Sequence, residues 1–177
     1  MKKISLMLLL LLPLLLFCSC EKTVNESFDA FSGAFMCEYS YTEGDKLYRV
    51  KLVAGENDAD GARSVTLCFI EPATLNGIEC KSEAGEYRAQ YGEVLISGES
   101  AKALFLSAEP LLSGGKAEFC GISEIDGTRA ERFKISHGGG DIFVYVDGNT
   151  ELPIAIVSSL SGREIKLNVI SFERKEK

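Results

Sequence analysis

Residues 34–52 read AFMCEYSYTEGDKLYRVKL, and their alternating pattern predicts a β-hairpin. Phe35, Cys37, Tyr39 and Tyr41 fall on one face of the first strand, because successive side chains of a strand point to opposite faces. The EGDK turn follows, and the second strand then alternates apolar with charged residues. This pattern is typical of an antiparallel sheet that has one face against a core and the other face in water.

Short strands and turns of the same kind continue to residue 173. Asp126-Gly127 and Asp147-Gly148 are dipeptides that favour hairpin turns. Segment 100–112 differs, because its alanines and leucines predict an apolar helix, which has to be buried against a sheet or within a groove. We therefore predict a mainly β fold with minor α structure: a strongly curved antiparallel sheet, an unclosed β-barrel, wrapped on one apolar helix.

The first twenty residues have the pattern of an export signal. Two lysines precede an apolar run of fourteen residues from Ile4 to Phe17, which is too short to remain as a membrane span of about 20 residues. We predict a lipoprotein signal peptide over residues 1–19 and lipidation of Cys20, since the small Ser19 stands before it. Cys18 is the alternative lipidation site, and ordinary cleavage that leaves a soluble secreted protein is a further alternative.

This reading divides the remaining chain into three parts. Residues 20–32 form a lipid-anchored tether, residues 33–173 form the half-barrel β domain, and residues 174–177 form a charged tail. Within the tether, residues 27–31 are predicted either as one helical turn or as a docked extended arm, secured by two phenylalanines. The tail has no apolar side chain to bury and is expected to fray.

The charge of the chain excludes some partners. The full chain has a formal charge of −7, and removal of residues 1–19 leaves 17 basic and 26 acidic residues, a charge of −9. Nucleic-acid binding is not expected, because it depends mainly on basic residues that contact phosphates. Attachment to a membrane is therefore expected to come from the lipid rather than from a basic surface.

Four further cysteines allow a disulfide but do not suggest a metal site. Cys37, Cys68, Cys80 and Cys120 show no C-x-x-C spacing, and the chain has one histidine, His137, so we expect no metal site. Cys68 and Cys80 lie at similar distances from the turn around Pro72, and the spacing allows a disulfide between them. Free cysteines that pack as small apolar residues are the alternative.

Catalytic motifs are not found. His137 precedes three glycines and has no G-x-S-x-G partner motif. Residues 56–67 resemble a calcium loop in the spacing of Glu56, Asp58 and Asp60, but Leu67 stands where a bidentate glutamate is needed, which favours a solvated hairpin turn. We predict neither an enzyme nor a cofactor; a hydrolase with two paired carboxylates is the remaining enzymatic alternative.

The order of three features suggests a family. These are the stretch FIEPATLNGI at 69–78, the apolar helix near the middle, and the stretch DGNTELPIAI at 147–156. In this order they resemble bacterial lipoproteins of the lipoprotein carrier and localisation factor (LolA/LolB-like) superfamily. The resemblance implies an unclosed β-barrel whose apolar concave face holds acyl chains. It further implies a set of candidate ligand-lining residues: Phe35, Leu67, Phe69, Leu104, Phe105, Leu111, Leu112, Phe133 and Val144.

The resulting functional expectation is a lipoprotein anchored to a bacterial membrane on its extracytoplasmic side. It would bind a lipid, an acylated protein or another apolar ligand in the groove of the half-barrel. Two alternatives remain open at this point. The candidate lining residues could form a closed core, and the protein could then be a non-enzymatic envelope scaffold or sensor that acts through protein contacts.

Overall fold

The computed structural model describes residues 27–29, 31–58, 62–113, 116–137, 140–159, 162 and 164–175. The signal peptide, both candidate lipidation cysteines and the first part of the tether lie outside these residues. In the part of the chain that is described, no helix has the length and apolar character needed to span a membrane.

The described residues form a single antiparallel sheet of twelve strands in the order β1-β8-β9-β10-β11-β12-β2-β3-β4-β5-β6-β7. The strands are β1 Ser27–Phe28, β2 Phe35–Glu43, β3 Lys46–Asn57, β4 Arg63–Glu71, β5 Glu79–Glu83, β6 Glu86–Tyr91, β7 Val94–Ser97, β8 Ala117–Ile125, β9 Thr128–His137, β10 Gly140–Val146, β11 Pro153–Ser158 and β12 Ile165–Arg174. The sheet is not closed, since β1 and β7 are its two edges. The predicted unclosed, mainly β architecture is confirmed.

The β2–β3 hairpin has the register that its alternation predicts. Phe35 pairs with Ala54 at one end, and Tyr41 pairs with Tyr48 near the turn. In β2, Phe35, Cys37, Tyr39 and Tyr41 are all buried. Their shared face is therefore the concave face, which carries the core.

The apolar segment between β7 and β8 crosses this concave face. It consists of α1 (Glu99–Lys102), a 3₁₀ turn (Ala103–Phe105) and α2 (Glu109–Leu112), which together are named the helical segment. The sequence predicted one helix here, and the structure divides it into three short pieces. Pro110 lies in the first turn of α2. The N–H groups of a first turn have no acceptor within the helix, so proline, which has no N–H, is tolerated there. Inside a longer helix it would remove a hydrogen bond, and the chain therefore begins a new helix at this point.

Both ends of the domain extend beyond the limits expected from the sequence. Ser27–Phe28 forms a strand, as in the extended alternative: Phe28 pairs with Ala117 of β8, and both Phe28 and Phe31 are buried. At the other end, Arg174 pairs with Phe35, and the Lys175 N–H donates to the Ala34 carbonyl at 2.9 Å. Backbone pairing needs no apolar side chain, so the charged composition does not prevent Arg174 and Lys175 from joining the sheet.

Candidate ligand-binding grooves

The candidate lining residues lie together, but most of them fill the interior. Seven of the nine are buried in one apolar cluster, and Leu104 and Leu112 are half-buried against it. The buried seven are Phe35, Leu67, Phe69, Phe105, Leu111, Phe133 and Val144. These seven side chains therefore belong to a filled core and not to an open groove.

Two grooves flank the helical segment. The larger has a volume of about 390 Å³ and is named the arm-side groove, because Arg63 in its wall contacts Ser32, which follows the N-terminal arm. Its wall is formed by Asn57, Arg63, Val65, Ser82, Tyr87, Lys102, Phe105, Leu106, Glu109, Leu112 and Ser113. The arm is close to this wall, since Arg63 Nη2 donates to the Ser32 carbonyl at 2.9 Å.

The second, the hairpin-side groove, has a volume of about 280 Å³ and lies near the turn of the β2–β3 hairpin. Its wall is formed by Tyr41, Glu43, Tyr48, Phe69, Leu75, Ala103, Leu104, Leu106, Ser107 and Ile165. The rings of Tyr41 and Tyr48 are stacked there with centroids 4.9 Å apart. Leu106 lines both grooves and is 53% exposed, so the two grooves meet at this side chain.

Four of the nine candidates line a groove. Phe105 and Leu112 lie on the arm-side groove, and Phe69 and Leu104 lie on the hairpin-side groove. The other five pack in the core and line neither groove: Phe35, Leu67, Leu111, Phe133 and Val144. A ligand-binding role for the four groove residues stays a proposal.

Arg63 gives the arm-side groove its main polar feature. Its Nε donates to Asn57 Oδ1 at 2.9 Å, and Nη2 donates to Ser32 as described above. The guanidinium carbon lies 5.5 Å from the centre of the Phe35 ring, within the range of a cation–π contact. Nη1 is buried and has no hydrogen-bond partner among the residues that the structure describes. Burial lowers the pKa of Arg63 from its ordinary value, because desolvation disfavours the charged form.

The opposite wall of the same groove carries a second cation and one acid. Lys102 Nζ lies 5.9 Å from the centre of the Tyr87 ring and 3.4 Å from the exposed Glu99 carboxylate. Tyr87 in turn meets Phe105 edge to face, with centroids 5.3 Å apart. Glu109 is exposed at the groove. The groove thus combines an apolar floor with two cationic side chains, of which Lys102 has a carboxylate partner in Glu99 and Arg63 has none among the described residues.

The disulfide allowed by the sequence is not formed. Cys68 pairs with Glu79, whereas Cys80 pairs with Leu67. Neighbouring positions on paired strands point to opposite faces, so the Cys80 thiol lies in the core while Cys68 lies on the other face. Both cysteines are free in the structure, which is the alternative that the sequence left open beside the bridge.

In the loop that resembled a calcium site, Asp58 and Ala62 are joined by two hydrogen bonds. Asp58 Oδ1 accepts a hydrogen bond from the Ala62 N–H at 2.8 Å, and the Asp58 N–H donates to the Ala62 carbonyl at 2.7 Å. Residues 59–61 and the side chain of His137 lie outside the described part. Among the described side chains, no group of three metal-ligating residues occurs.

No protein-family profile and no curated protein sequence matches the chain. Solved structures do resemble it. An uncharacterised conserved protein from Thermus thermophilus has a TM-score of 0.48 and 15% identity over 84% of this chain and 82% of its own. MucB has a TM-score of 0.49 and 13% identity over 84% of this chain, which spans about half the length of MucB (55%).

A LolA superfamily protein from Nitrosomonas europaea has a TM-score of 0.42 and 11% identity over 82% of this chain and 88% of its own. LolA superfamily proteins are thus among the structures that the chain resembles, as the sequence predicts. At identities of 11–15%, these comparisons concern the fold alone.

Sequence reasoning missed the polar residues of the arm-side groove. Arg63, Tyr87 and Lys102 belong to three different elements, and each resembles an ordinary surface residue in its own segment. They come together only because the helical segment crosses the sheet above β4 and β6. No local pattern in the sequence specifies that crossing.

Proposed function

We propose that the domain binds the acyl chain of a lipid or of an acylated protein in the grooves beside the helical segment, next to the membrane to which Cys20 anchors it. The observation that carries this proposal is the pair of partly apolar grooves. Small-molecule sites are typically concave, mainly apolar and roughly 300–1,000 Å³ in volume. The arm-side groove, at about 390 Å³, lies in this range.

Leu106 supports an extended, chain-like ligand. A side chain of this size is usually buried, yet Leu106 stands half-exposed between the two grooves. An acyl chain that ran from one groove to the other would cover it. The ligand would gain apolar contacts on both sides of the helical segment without displacing the buried core.

The position of the arm supports a membrane source for the ligand. Seven positions separate Cys20 from Ser27, the first residue of β1. A chain spans at most about 3.3–3.6 Å per residue, so this linker reaches no more than about 25 Å. A lipidated Cys20 would therefore hold the domain, and the grooves with it, close to the bilayer.

Groove-filling variants test the proposal by titration with a fluorescent fatty acid. Ser82→Trp fills the arm-side groove, and Ala103→Trp fills the hairpin-side groove, since these small side chains line them. Gln90→Trp is the matched control, because Gln90 is exposed on the opposite face from buried Ala89. We expect saturable binding to the wild type and to the control, with affinity lowered at least tenfold by Ser82→Trp. Absence of binding to the wild type would reject the proposal.

A second candidate function is a protein-interaction module, and the edge strand β7 favours it. Val94 and Leu95 are 64% and 62% exposed although they point to opposite faces. On its outer side, β7 has no partner strand among the described residues. Such an edge can accept an extended segment of another protein by strand addition.

Site-specific photo-crosslinking in the host cell tests this candidate. A photo-crosslinker at Leu95 would form an adduct with one defined protein, and Ile96→Pro should abolish it by removing a backbone donor and distorting the strand. A crosslinker at exposed Glu124 of β8 is the control position. Equal adducts at both positions, or adducts that survive Ile96→Pro, would argue against strand addition at β7.

A further inference from the structure

One nitrogen of the half-buried Arg63 side chain, Nη1, is itself buried and has no acceptor among the described residues. Nε and Nη2 are hydrogen-bonded to Asn57 and Ser32, while Nη1 is buried without a partner. A buried charged donor without an acceptor is unfavourable, because it has lost its hydration and gained no hydrogen bond in return. Such atoms are rare in folded proteins and require an explanation.

The described residues do not supply this acceptor. They place no carboxylate within 4 Å of the Arg63 guanidinium, whereas two other arginines of the sheet have one: Arg49 contacts Glu38, and Arg88 lies 2.6 Å from Glu86. The nearby Lys102 adds a second positive charge to the same groove. Glu109 is the acidic residue of the groove wall, and its exposed position leaves its carboxylate well hydrated.

We propose that the arm-side groove is selective for amphiphiles that carry an anionic group, a carboxylate or a phosphate, at the end of an acyl chain, and that Arg63 binds this group. The inference rests on the proposed function, because it assigns the chemistry of the ligand to the same groove. The chain would lie against Val65, Phe105 and Leu112, and the anionic end would accept a hydrogen bond from Nη1.

The geometry of Arg63 favours recognition rather than a general attraction. Two of its nitrogens are already bonded, which fixes the plane of the guanidinium and the direction of the remaining N–H groups. Arginine presents its donors in a planar fork that matches carboxylate and phosphate oxygens. Since the whole chain has a charge of −7, an anion would be repelled elsewhere and attracted here.

Three probes with the same chain and different ends test the inference: oleate, oleyl phosphate and oleyl alcohol. Their affinities are measured by displacement of a fluorescent fatty acid from the full-length protein in phosphatidylcholine nanodiscs, with empty nanodiscs subtracted. We expect at least one anionic probe to bind about tenfold or more tightly than the alcohol, since a hydrogen bond to a charged group contributes about 1.5–3 kcal/mol. Which anionic probe binds more tightly distinguishes a carboxylate ligand from a phosphate ligand.

Variants separate the headgroup contact from the groove itself. Arg63→Met should abolish the preference for the anionic probe and leave the affinity for oleyl alcohol within about twofold. Arg88→Met is the matched control, because it removes the same charge from β6 at a position that does not line the groove, and it should leave all three affinities unchanged. If Arg63→Met does not fold, Arg63→Lys is used instead. We expect this variant to lower the ratio of the anionic-probe affinity to the oleyl alcohol affinity at least threefold.

The outcomes distinguish the two proposals. If none of the probes binds the wild type, the proposed function fails. If oleyl alcohol binds as tightly as both anionic probes, or if the Arg63 variant keeps the full preference, acyl binding stands and the role of Arg63 is overturned.

Discussion

The hydroxyl oxygens of Tyr39 and Ser107 lie 3.1 Å apart, and both side chains are buried. Tyr39 belongs to β2 near the centre of the sheet, while Ser107 belongs to the helical segment. This hydrogen bond therefore joins the segment to the concave face at the point between the two grooves. It holds the segment at the depth that leaves space on both sides.

Tyr39→Phe is expected to lower the free energy of unfolding by about 1–3 kcal/mol, because it leaves the buried Ser107 hydroxyl without its partner. Urea unfolding followed by circular dichroism measures the change. Tyr91→Phe is the control, since Tyr91 is exposed. The double variant Tyr39→Phe with Ser107→Ala should be about as stable as Tyr39→Phe alone; full additivity of the two single effects would contradict the coupling.

Two leucines of the helical segment are expected to separate ligand binding from stability. Leu111 is fully buried and Leu106 is 53% exposed. Leu111→Ala should cost about 2–5 kcal/mol through the cavity it leaves. Leu106→Ala should change stability by less than about 0.5 kcal/mol but weaken fatty-acid binding about fivefold, because it removes apolar contact area. Unchanged affinity in Leu106→Ala would show that the ligand does not cross between the grooves.

Stability is expected to fall in alkaline solution. Burial raises the pKa of Cys37 from 9.0 to about 12, with a smaller effect of the Glu38 charge, and burial likewise raises the pKa of Cys80 to about 11. Unfolded thiols lose their protons first as the pH rises, so this stabilisation is complete below pH 9 and is lost as the pH approaches 11 to 12. The urea midpoint should therefore be lower at pH 10.5 than at pH 8.

Cysteine variants identify the source of this pH dependence. Cys37→Ala should reduce the difference between the midpoints at pH 8 and pH 10.5, because it removes one of the two buried thiols. Cys120→Ala should leave the difference unchanged, since Cys120 is exposed. A Cys37→Ala protein with the full wild-type difference would contradict the assignment.

Membrane association is expected to depend on Cys20. Cys20→Ala should release the protein from the membrane fraction, because a chain with a formal charge of −7 is not held by anionic lipids. Cys18→Ala is the matched control and should leave the protein in that fraction. Fractionation followed by immunoblotting measures both, and retention of Cys20→Ala on the membrane would contradict a sole lipid anchor at this residue.

Alternation along the chain predicted the strands well because it reflects which face of each strand is buried. The face of β2 that carries Phe35, Cys37, Tyr39 and Tyr41 is buried as expected. The distance of Cys68 and Cys80 from the turn around Pro72 did not show which face of the sheet each side chain occupies. A shift of one residue in register reverses the face of a side chain, and this shift separates Cys68 from Cys80.

The grooves could not be predicted from the sequence for a related reason. Their volume depends on where the helical segment crosses the sheet, and this is decided by long-range contacts such as those of Phe105 with Tyr87 and of Ser107 with Tyr39. The family resemblance implied that Phe105 and Leu112 would line a ligand groove. The sequence contained no signal that Arg63, at the start of β4, would lie beside them.

Native mass spectrometry of the full-length protein, extracted gently from its host membrane, tests acyl-chain binding most directly. The account predicts a species heavier than the protein by the mass of one amphiphile, which dissociates on collisional activation and is depleted in Ser82→Trp. A wild-type protein that shows only its ligand-free mass and takes up no added fatty acid would contradict the account.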